Sequence, residues 1–298
     1  MIRQLDDTEV ERLATPERAV EIMRAALLDL ADGEMTATPR TALPAGATAL
    51  VIGAGGRRSG PVGFRAYGGW GPQSDQLTAV WDGDGRLLGV VTGELLGILR
   101  TGALGGVAVD ALATPGADRI GVVGSGRMAW GQVWAASAVR PIAGVDVFSP
   151  SPDRRDDFAR RVESRLGIPC RPVSTAEEAV ADKPVVVLST TSTTPVIRLE
   201  DLSPGAHVNS TGPKRAGASE LDPRIAEAAT AIVTDAPRQV EVDDDWFSPR
   251  RPTALGAVLS GAAPGRRDAG DLTLYCSVGV TGTEPLLAAE LLSLSARD

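Results

Sequence analysis

The sequence predicts an α/β fold with a doubly wound parallel sheet in the middle of the chain. A repeated strand–helix rhythm runs from residue 119 to residue 234, and this rhythm is typical of parallel strands joined by helices. Before it, short apolar runs alternate with glycine-rich segments, which favours an antiparallel sheet. Hydrophobic residues make up 43% of the 298 residues and aromatic residues only 4%, so aliphatic side chains must form the core. This length favours two domains.

The composition excludes several classes of protein. A net charge of −8 argues against a general nucleic-acid binder, which normally has a basic surface. We expect no apolar run near the ~20 residues that cross a bilayer, and no signal segment in Met1 to Val10. Cys170 and Cys276 have no zinc-site spacing, which predicts reduced, buried thiols in a cytoplasmic protein. The acidic run 243–245 favours a solvated loop over a metal site. We therefore expect a small-molecule ligand, and no metal, nucleic-acid or membrane partner.

The first third of the chain contains a helix and a predicted meander. Thr15 is a typical N-cap before a helix with one apolar face, and Gly33 ends it. From Thr36 to Leu99, apolar runs are separated by glycine-rich breaks such as 53–56. The Asp-Gly pattern at 82–85 is a hairpin signal.

The remaining elements follow in a regular order. A helix is predicted from about Leu99 to Ala113, and Pro115 then marks a plausible domain boundary. The predicted later strands are 120–123, 145–148, 185–189, 207–209, 231–234 and 272–280, and the helices are 127–139, one capped by Ser151 and ending near 166, one opened by Asp222, and one from Glu284 onward.

A glycine turn separates the first central strand from its helix. Residues 124–129 have the pattern G-x-G-x-x-A, in which the first glycine permits a tight turn and the second lets the backbone approach a pyrophosphate. Helix amides then face the phosphates. The motif alone is weak, but a βαβ unit of about 30 residues favours dinucleotide binding. The predicted cofactor contacts here are Gly124, Ser125, Gly126, Arg127 and Met128.

The end of the second central strand indicates which dinucleotide binds. An acid there would bind the ribose hydroxyls of NAD, but Asp146 lies about three residues too early. Ser149 and Ser151 follow the strand instead, with Arg154 and Arg155 nearby, and this set suits the 2′-phosphate of NADP. The alternative is that both arginines lie on a solvated helix face. NADP is favoured, and NAD stays open.

Several motifs together resemble the ornithine cyclodeaminase and mu-crystallin family. That family also contains alanine dehydrogenases, ketimine and pyrroline-carboxylate reductases, and opine-type dehydrogenases. The resemblance covers nearly the whole chain, and the ordered set is more specific than any one motif. The segments are Leu99–Ala103, the glycine turn, Ala138–Ile142, Thr190–Thr194, Gly205–Asn209 and Ser277–Gly279.

The resemblance implies the domain plan and the cofactor site. Residues 1–114 and 267–298 would form a substrate-binding, dimer-forming α+β domain, into which a Rossmann-type domain of residues 115–266 is inserted. The protein would be a homodimer that binds NADP or NAD. The further cofactor contacts implied are Arg100, Thr101, Thr190, Thr191, Ser192, Ser277 and Gly279.

The implied substrate site departs from the family pattern at two positions. Arg40 and Arg100 match arginines that hold the substrate carboxylate, whereas Arg65 stands where lysine is usual. Arginine keeps the charge and adds bidentate geometry. Lys214 stands where the cyclodeaminase has an aspartate that grips the substrate's amino group, so ornithine cyclisation is disfavoured. A lysine among other cations has a lowered pKa and can act as a proton donor. The alternative is that Lys214 is a solvated loop residue.

Three further side chains have less specific patterns. His207 is the only histidine, and its place in a short apolar strand favours a hydrogen-bonded structural role over acid–base catalysis. Tyr67 and Trp70 follow Arg65, and each could line the substrate pocket or lie at a surface or dimer interface.

These expectations give one principal hypothesis and two alternatives. The principal one is an oxidoreductase that transfers hydride from NAD(P)H to C2 of an imino acid, a cyclic imine, or a 2-oxo acid with an amine. Arg65 would then orient the carboxylate, and Lys214 would donate the proton. The alternatives are a non-catalytic, NADP-dependent ligand-binding protein of the mu-crystallin type and, as the poorest fit, a cyclodeaminase.

Overall fold

The computed structural model describes residues 2–70 and 75–297, and the chain forms two compact units. The first unit comprises Met1–Arg100 and Gly279–Asp298, and the second comprises Thr101–Val278. The division therefore falls inside a helix and just after the last strand. It does not fall at the predicted boundaries after residue 114 and before residue 267.

The described residues form strands and helices along most of their length. In chain order the strands are β1 (Arg3–Leu5), β2 (Met35–Ala37), β3 (Thr41–Ala45), β4 (Thr48–Arg57), β5 (Val62–Gly68), β6 (Gln76–Trp81), β7 (Leu87–Thr92), β8 (Arg119–Val123), β9 (Gly144–Phe148), β10 (Cys170–Pro172), β11 (Val185–Leu188), β12 (His207–Ser210), β13 (Lys214–Arg215), β14 (Ala218–Ser219), β15 (Ala231–Thr234), β16 (Thr253–Ala254) and β17 (Thr273–Cys276). The helices are α1 (Asp7–Leu13), α2 (Pro16–Ala31), α3 (Leu95–Leu112), α4 (Arg127–Ala136), α5 (Pro152–Leu166), α6 (Ala176–Val180), α7 (Pro223–Ala228), α8 (Pro237–Asp243), α9 (Leu255–Leu259) and α10 (Thr283–Leu294), and Leu199–Asp201 forms a short 3-10 helix.

The first unit contains a mixed sheet with the order β1-β7-β6-β5-β4-β2, in which β3 also pairs with β4. Strands β4 to β7 form the predicted antiparallel meander, and β6 and β7 make the predicted hairpin. The carboxylate of Asp82 accepts hydrogen bonds from the amides of Asp84 and Arg86 in that turn. Helix α2 begins after Thr15 as predicted, because the hydroxyl of Thr15 accepts a hydrogen bond from the backbone amide of Arg18.

The prediction of a break at residues 53–56 is wrong, because β4 runs through these glycines. A Cβ on Gly53 would lie 2.4 Å from Cγ2 of Thr281, and one on Gly55 would lie 2.5 Å from the carbonyl oxygen of Thr36. The glycines therefore allow a close approach of neighbouring chain segments within a continuous strand.

Helix α3 corrects the expectation that no apolar run approaches membrane-spanning length. Its 18 residues have a mean hydropathy of 1.5, which is apolar enough for a span by composition. However, 83% of this stretch is buried inside the protein, so it is a core helix.

The second unit contains an eight-stranded sheet with the order β10-β9-β8-β11-β12-β17-β15-β16. All of its strand pairs are parallel. The predicted strands are confirmed, except that the strand expected over 272–280 ends at Cys276. Strand β11 is buried along its whole length, as expected of a strand covered on both faces. The sheet explains one misplaced boundary. Strand β17, predicted to belong to the other domain, pairs with β12 and β15 inside this sheet.

The chain leaves β8 in two directions across this sheet. It first continues outward to β9 and β10, and then returns to β11 on the other side of β8. This reversal is the topological switch point of a doubly wound sheet, where ligands bind beyond the carboxyl ends of the strands. Two of the helices in this unit begin at the predicted N-cap residues. The side chains of Ser151 and Asp222 each accept a backbone N–H hydrogen bond from the first turn of the helix that follows.

Candidate functional site

The glycine turn lies at the switch point, directly after β8. Gly124 has a φ of 109°, and a Cβ there would lie 2.1 Å from the carbonyl oxygen of Ser189. A Cβ on Gly126 would meet no heavy atom within 4 Å. The first glycine is therefore required by the turn, and the second leaves open space beside the backbone. This is the geometry that a dinucleotide pyrophosphate needs.

The turn also leads into the N-terminus of a ten-residue helix, α4. Gly126 is the N-cap and offers no side chain to the first helix amides. Arg127 and Met128 are exposed in this first turn. Backbone amides at such a terminus suit an anionic group, so the predicted residues 124–128 fit a phosphate-bearing cofactor.

Serine hydroxyls connect the turn to the end of β9. Ser125 Oγ donates to Ser149 Oγ at 2.9 Å, and Ser149 Oγ donates to the carbonyl oxygen of Ser151 at 3.1 Å. Nη1 of Arg155 donates to the carbonyl oxygen of Ser149 at 3.3 Å. Arg154 is exposed one residue earlier. Hydroxyls and a cationic side chain therefore surround the exit of β9.

Asp146, on β9, forms ion pairs with two cations outside its strand. Its carboxylate lies 2.9 Å from Nζ of Lys183 and 2.8 Å from Nη2 of Arg171. Burial raises the pKa of Asp146, but the hydrogen bonds from these two cations outweigh burial and leave the pKa below its usual value. The side chain thus serves the sheet and does not supply an acid at the strand exit.

The segment after β11 is held by a carboxylate that the sequence pattern did not single out. Glu220 Oε2 accepts from the backbone amide of Thr190 at 2.9 Å and from its hydroxyl at 2.8 Å. The Thr190 hydroxyl also accepts from the amide of Ser192 at 3.1 Å, and Thr191 is exposed. The available signal was the position of Glu220 in the motif that follows β12.

Lys214 begins the small hairpin of β13 and β14, and it is only 7% exposed. Its Nζ donates to the carbonyl oxygen of Ser210 at 3.3 Å and to that of Gly212. Burial lowers the pKa of Lys214, and the nearby Cys276, Glu220 and Asp235 oppose this shift. The alternative that Lys214 is a solvated loop residue is therefore wrong.

The structural role predicted for His207 is confirmed. The ring is fully buried, with Nδ1 2.9 Å from Oγ1 of Thr273 and Nε2 2.7 Å from Oδ1 of Asn209. Burial lowers the pKa of His207 to about 3. Asn209 in turn donates to Oε1 of Gln132 at 3.1 Å, so the imidazole belongs to a buried hydrogen-bond network.

Two other predicted cofactor residues of the second unit are held by buried partners. Oγ of Ser277 donates to Oδ2 of Asp235 at 3.2 Å, and the amide of Val278 donates to Oδ1 at 2.8 Å. Asp235, which directly follows β15, was not identified from the sequence. Thr101 is buried, and its carbonyl oxygen accepts from Nε2 of Gln132 at 3.1 Å.

The predicted carboxylate-binding residues converge in a pocket of the first unit. Arg40 follows β2, Arg65 lies on β5 and Arg100 lies on α3. Arg40 Nη1 donates to the carbonyl oxygen of Gly279 at 3.3 Å. The pocket is lined by Arg40, Gly53, Arg65, Tyr67, Arg100, Gly279, Thr281 and Glu284.

A buried carboxylate, Glu284, pairs with two of these arginines. Its Oε1 lies 3.1 Å from Nη1 of Arg65 and 2.6 Å from Nη2 of Arg100. Burial raises the pKa of Glu284, but the two guanidinium groups outweigh burial and hold the pKa below its usual value. Glu284 was predicted only as the start of a helix, because nothing local in the sequence indicates its partners.

The two aromatic candidates have different positions. The Tyr67 ring lies 5.2 Å from Cζ of Arg65, which is within reach of a cation–π contact, and Tyr67 lines the pocket. Arg65 also donates to the side chain of Gln76. Trp70 is 58% exposed and is a surface residue in this structure.

Comparisons with known proteins agree with the fold and with the motif set. The model of the ornithine cyclodeaminase/mu-crystallin family matches residues 1–292. A Delta(1)-pyrroline-2-carboxylate reductase of Bacillus cereus is 30% identical over 180 residues, which covers 57% of this chain and 55% of the relative. The matched region thus spans about half of that relative's length.

Solved structures match over the whole chain. A probable ornithine cyclodeaminase from Bordetella pertussis has a TM-score of 0.88 at 27% identity, with 100% of this chain and 98% of that chain covered. An archaeal alanine dehydrogenase dimer with bound NAD has a TM-score of 0.87 at 25% identity, with 100% and 97% covered.

Proposed function

Since the chain belongs to the ornithine cyclodeaminase/mu-crystallin family, we propose that it is an NAD(P)H-dependent reductase of small imino acids. The substrate would carry a C=N bond at C2 beside a carboxylate. A 2-oxo acid with an amine, or a cyclic imine, presents the same group. The similarity to a pyrroline-2-carboxylate reductase supports this reaction class.

The arginine pocket is the observation that carries this proposal. Arg40, Arg65 and Arg100 line one pocket together with a single carboxylate, Glu284, so the pocket keeps a net positive charge. Arginine forks suit a planar carboxylate. Fixing that carboxylate would orient C2 of the substrate, and orientation of this kind is a positioning contribution to the rate.

Residues of the second unit would hold the cofactor. The glycine turn and the start of α4 would receive the pyrophosphate, and Thr190 to Ser192 and Ser277 would contact the remainder. Thr101 completes the proposed contacts in this unit. NAD(P)H, when bound, supplies the hydride.

We favour NADP over NAD for this chain. Ser149 and Ser151 lie at the exit of β9, where Arg155 donates to the carbonyl oxygen of Ser149 and the neighbouring Arg154 is exposed. Asp146 is paired with Lys183 and Arg171. Hydroxyls with a nearby guanidinium group suit a 2′-phosphate, whereas an acid at the strand exit would suit the ribose of NAD.

Lys214 is the proposed proton donor to the substrate nitrogen. Burial lowers its pKa, which brings the ammonium closer to the range in which it can release a proton. Its Nζ uses two of three N–H groups on the carbonyl oxygens of Ser210 and Gly212, which leaves one for a substrate atom.

Turnover with defined substrates tests the proposal. The protein would be mixed with NADPH or NADH and a panel of cyclic imines and of 2-oxo acids with amines, and loss of the reduced-cofactor absorbance would be followed. We expect turnover with at least one imine and a lower KM for NADPH than for NADH. Tight NADPH binding without any turnover would instead support the non-catalytic binding protein. Release of ammonia from ornithine without a change in cofactor absorbance would support a cyclodeaminase.

A homodimer is also proposed, since a similar alanine dehydrogenase was solved as a dimer. Light scattering in solution gives the mass that tests it. The cytoplasmic location stays a prediction from the sequence.

A further inference from the structure

The carboxylate of Glu220 is fully buried and accepts four hydrogen bonds. Oε2 accepts hydrogen bonds from the backbone amide and the hydroxyl of Thr190, at 2.9 Å and 2.8 Å. Oε1 accepts hydrogen bonds from the hydroxyl of Ser210 and the backbone amide of Gly212, each at 2.7 Å. All four donors therefore converge on one side chain.

These donors come from the ends of two adjacent parallel strands. Thr190 follows β11, whereas Ser210 ends β12 and Gly212 lies in the turn after it. Strand β11 also pairs with β8, which leads into the glycine turn. Glu220 thus ties together two strand exits beside the switch point.

The turn after β12 is held from both sides. Glu220 accepts hydrogen bonds from the hydroxyl of Ser210 and the amide of Gly212. Lys214 donates hydrogen bonds to the carbonyl oxygens of the same two residues. A Cβ on Gly212 would lie 2.3 Å from Oε2 of Glu220, so this position has no room for a side chain. The turn is fitted closely against the carboxylate.

We propose that Glu220 is a positioning residue for cofactor binding, which fixes the Thr190 segment and the Ser210–Gly212 turn at the edge of the sheet. The proposal rests on the cofactor site described under the proposed function. Glu220 acts through Thr190 and the turn, because its own oxygens are filled by four protein donors.

A carboxylate is required by the directions of these bonds. Each oxygen accepts a backbone N–H, from Gly212 on one side and from Thr190 on the other. A backbone N–H cannot reverse its role. A glutamine amide would place its NH2 group against one of these donors, and the segment on that side would lose its anchor.

The test compares Glu220→Gln with Glu178→Gln. Glu178 is a surface residue of the same unit, whose carboxylate accepts a single backbone N–H, from Ser174. We expect Glu220→Gln to raise the Kd for NADPH, measured by cofactor fluorescence, about tenfold or more, the factor that a hydrogen bond to a charged group is worth. Glu178→Gln should bind like the unsubstituted protein. An unchanged Kd in folded Glu220→Gln would overturn the proposal.

A second variant covers the case in which Glu220→Gln does not fold. Ser210→Ala removes one of the four hydrogen bonds and leaves the carboxylate in place. It should raise the Kd for NADPH about threefold, since a single bond of modest strength is lost. No change in this variant would also overturn the proposal.

The pH dependence of turnover separates positioning from general loss of structure. Lys214 is faced by Glu220, Cys276 and Asp235, and the negative charge of Glu220 favours its protonated form. The high-pH limb of reduction should therefore move to lower pH in Glu220→Gln. A lower rate with an unmoved limb would indicate only a structural role.

The outcomes distinguish this proposal from the reductase proposal. Cofactor binding without turnover would refute the reductase and leave the Kd measurements to decide on Glu220. Turnover together with an unchanged Kd for NADPH in both variants would refute the role of Glu220 and leave the reductase proposal standing. A protein that binds neither NADPH nor NADH would refute both.

Discussion

Arg65 and Glu284 form a largely buried ion pair, with Nη1 of the arginine 3.1 Å from Oε1 of the glutamate and only 13% and 5% of the two side chains exposed. The same oxygen lies 2.6 Å from Arg100. One carboxylate therefore serves as the counter-ion for two guanidinium groups of the proposed substrate pocket, and these cations can be buried because it is there.

Replacing Glu284 with glutamine should destabilise the first unit. The change leaves two buried guanidinium groups without their anion, and breaking a buried pair in this way costs about 3–5 kcal/mol. Urea unfolding would measure the loss in the free energy of unfolding. The control is Glu290→Gln on the same helix, where Glu290 pairs with a half-exposed Arg18 at 3.5 Å, and where about 0.5 kcal/mol or less is expected. Equal effects of the two substitutions would contradict the role assigned to Glu284.

Arg154→Gln should weaken NADPH binding selectively. If Arg154 contacts the 2′-phosphate, its loss removes a charge-assisted hydrogen bond and raises the Kd for NADPH about tenfold, while the Kd for NADH stays the same. Arg160→Gln on the same helix is the control, because that exposed side chain pairs with Asp157. Parallel changes for both cofactors would argue against NADP selectivity at this position.

Lys214→Met should slow reduction more than it weakens cofactor binding. General acid catalysis contributes roughly 10²–10⁴-fold, so kcat should fall by at least about 100-fold. Burial lowers the pKa of Lys214, so in the unsubstituted protein the rate should decline with rising pH before the ordinary lysine range is reached. Rate measurements across pH would show this limb, and the variant should lack it. A variant that turns over normally would rule out the proton-donor role.

His207 should make the protein less stable as the pH falls below about 6.5. The pKa of His207 is lowered to about 3 in the folded state, whereas in the unfolded chain it has its usual value near 6.5. Between these values only the unfolded state binds the proton, so stability is complete above the unfolded pKa and falls by up to about 1.4 kcal/mol per pH unit below it.

Two measurements check this pH dependence. The free energy of unfolding would be measured with urea at several pH values. It should depend less steeply on pH in His207→Gln than in the unsubstituted protein. Because the chain has one histidine, the single imidazole NMR signal should also stay unchanged between pH 7 and pH 5. Titration of that signal near pH 6.5 would show that the ring is not buried as described.

Local patterns were sufficient for most of the second unit. The helix starts at Ser151 and Asp222 and the glycine turn at Gly124 were predicted, because each depends on residues within one turn of the chain. Six of the eight strands of the parallel sheet were found because their apolar runs reflect burial on both faces, whereas the short, partly exposed edge strands β10 and β16 were not predicted. The family motifs then brought Arg40, Arg65 and Arg100 into one predicted site, and the structure gives them one pocket.

The errors concern contacts between distant segments. The glycines within residues 53–56 predicted a break between strands. They lie instead inside the continuous strand β4, where neighbouring segments of the chain approach them closely. Strand β17 was assigned to the wrong domain, because its partners β12 and β15 lie earlier in the chain and leave no local trace.

The sequence by itself determined the α/β class and the glycine turn, because periodicity, caps and turns are properties of neighbouring residues. The arginines of the pocket were identified through the family resemblance of the sequence. Only the tertiary structure decided the partners of the charged groups. Arg65 and Glu284 are separated by 219 positions, and Glu220 collects donors from two strand ends. A buried carboxylate is defined by the donors and cations around it, and folding alone brings these together.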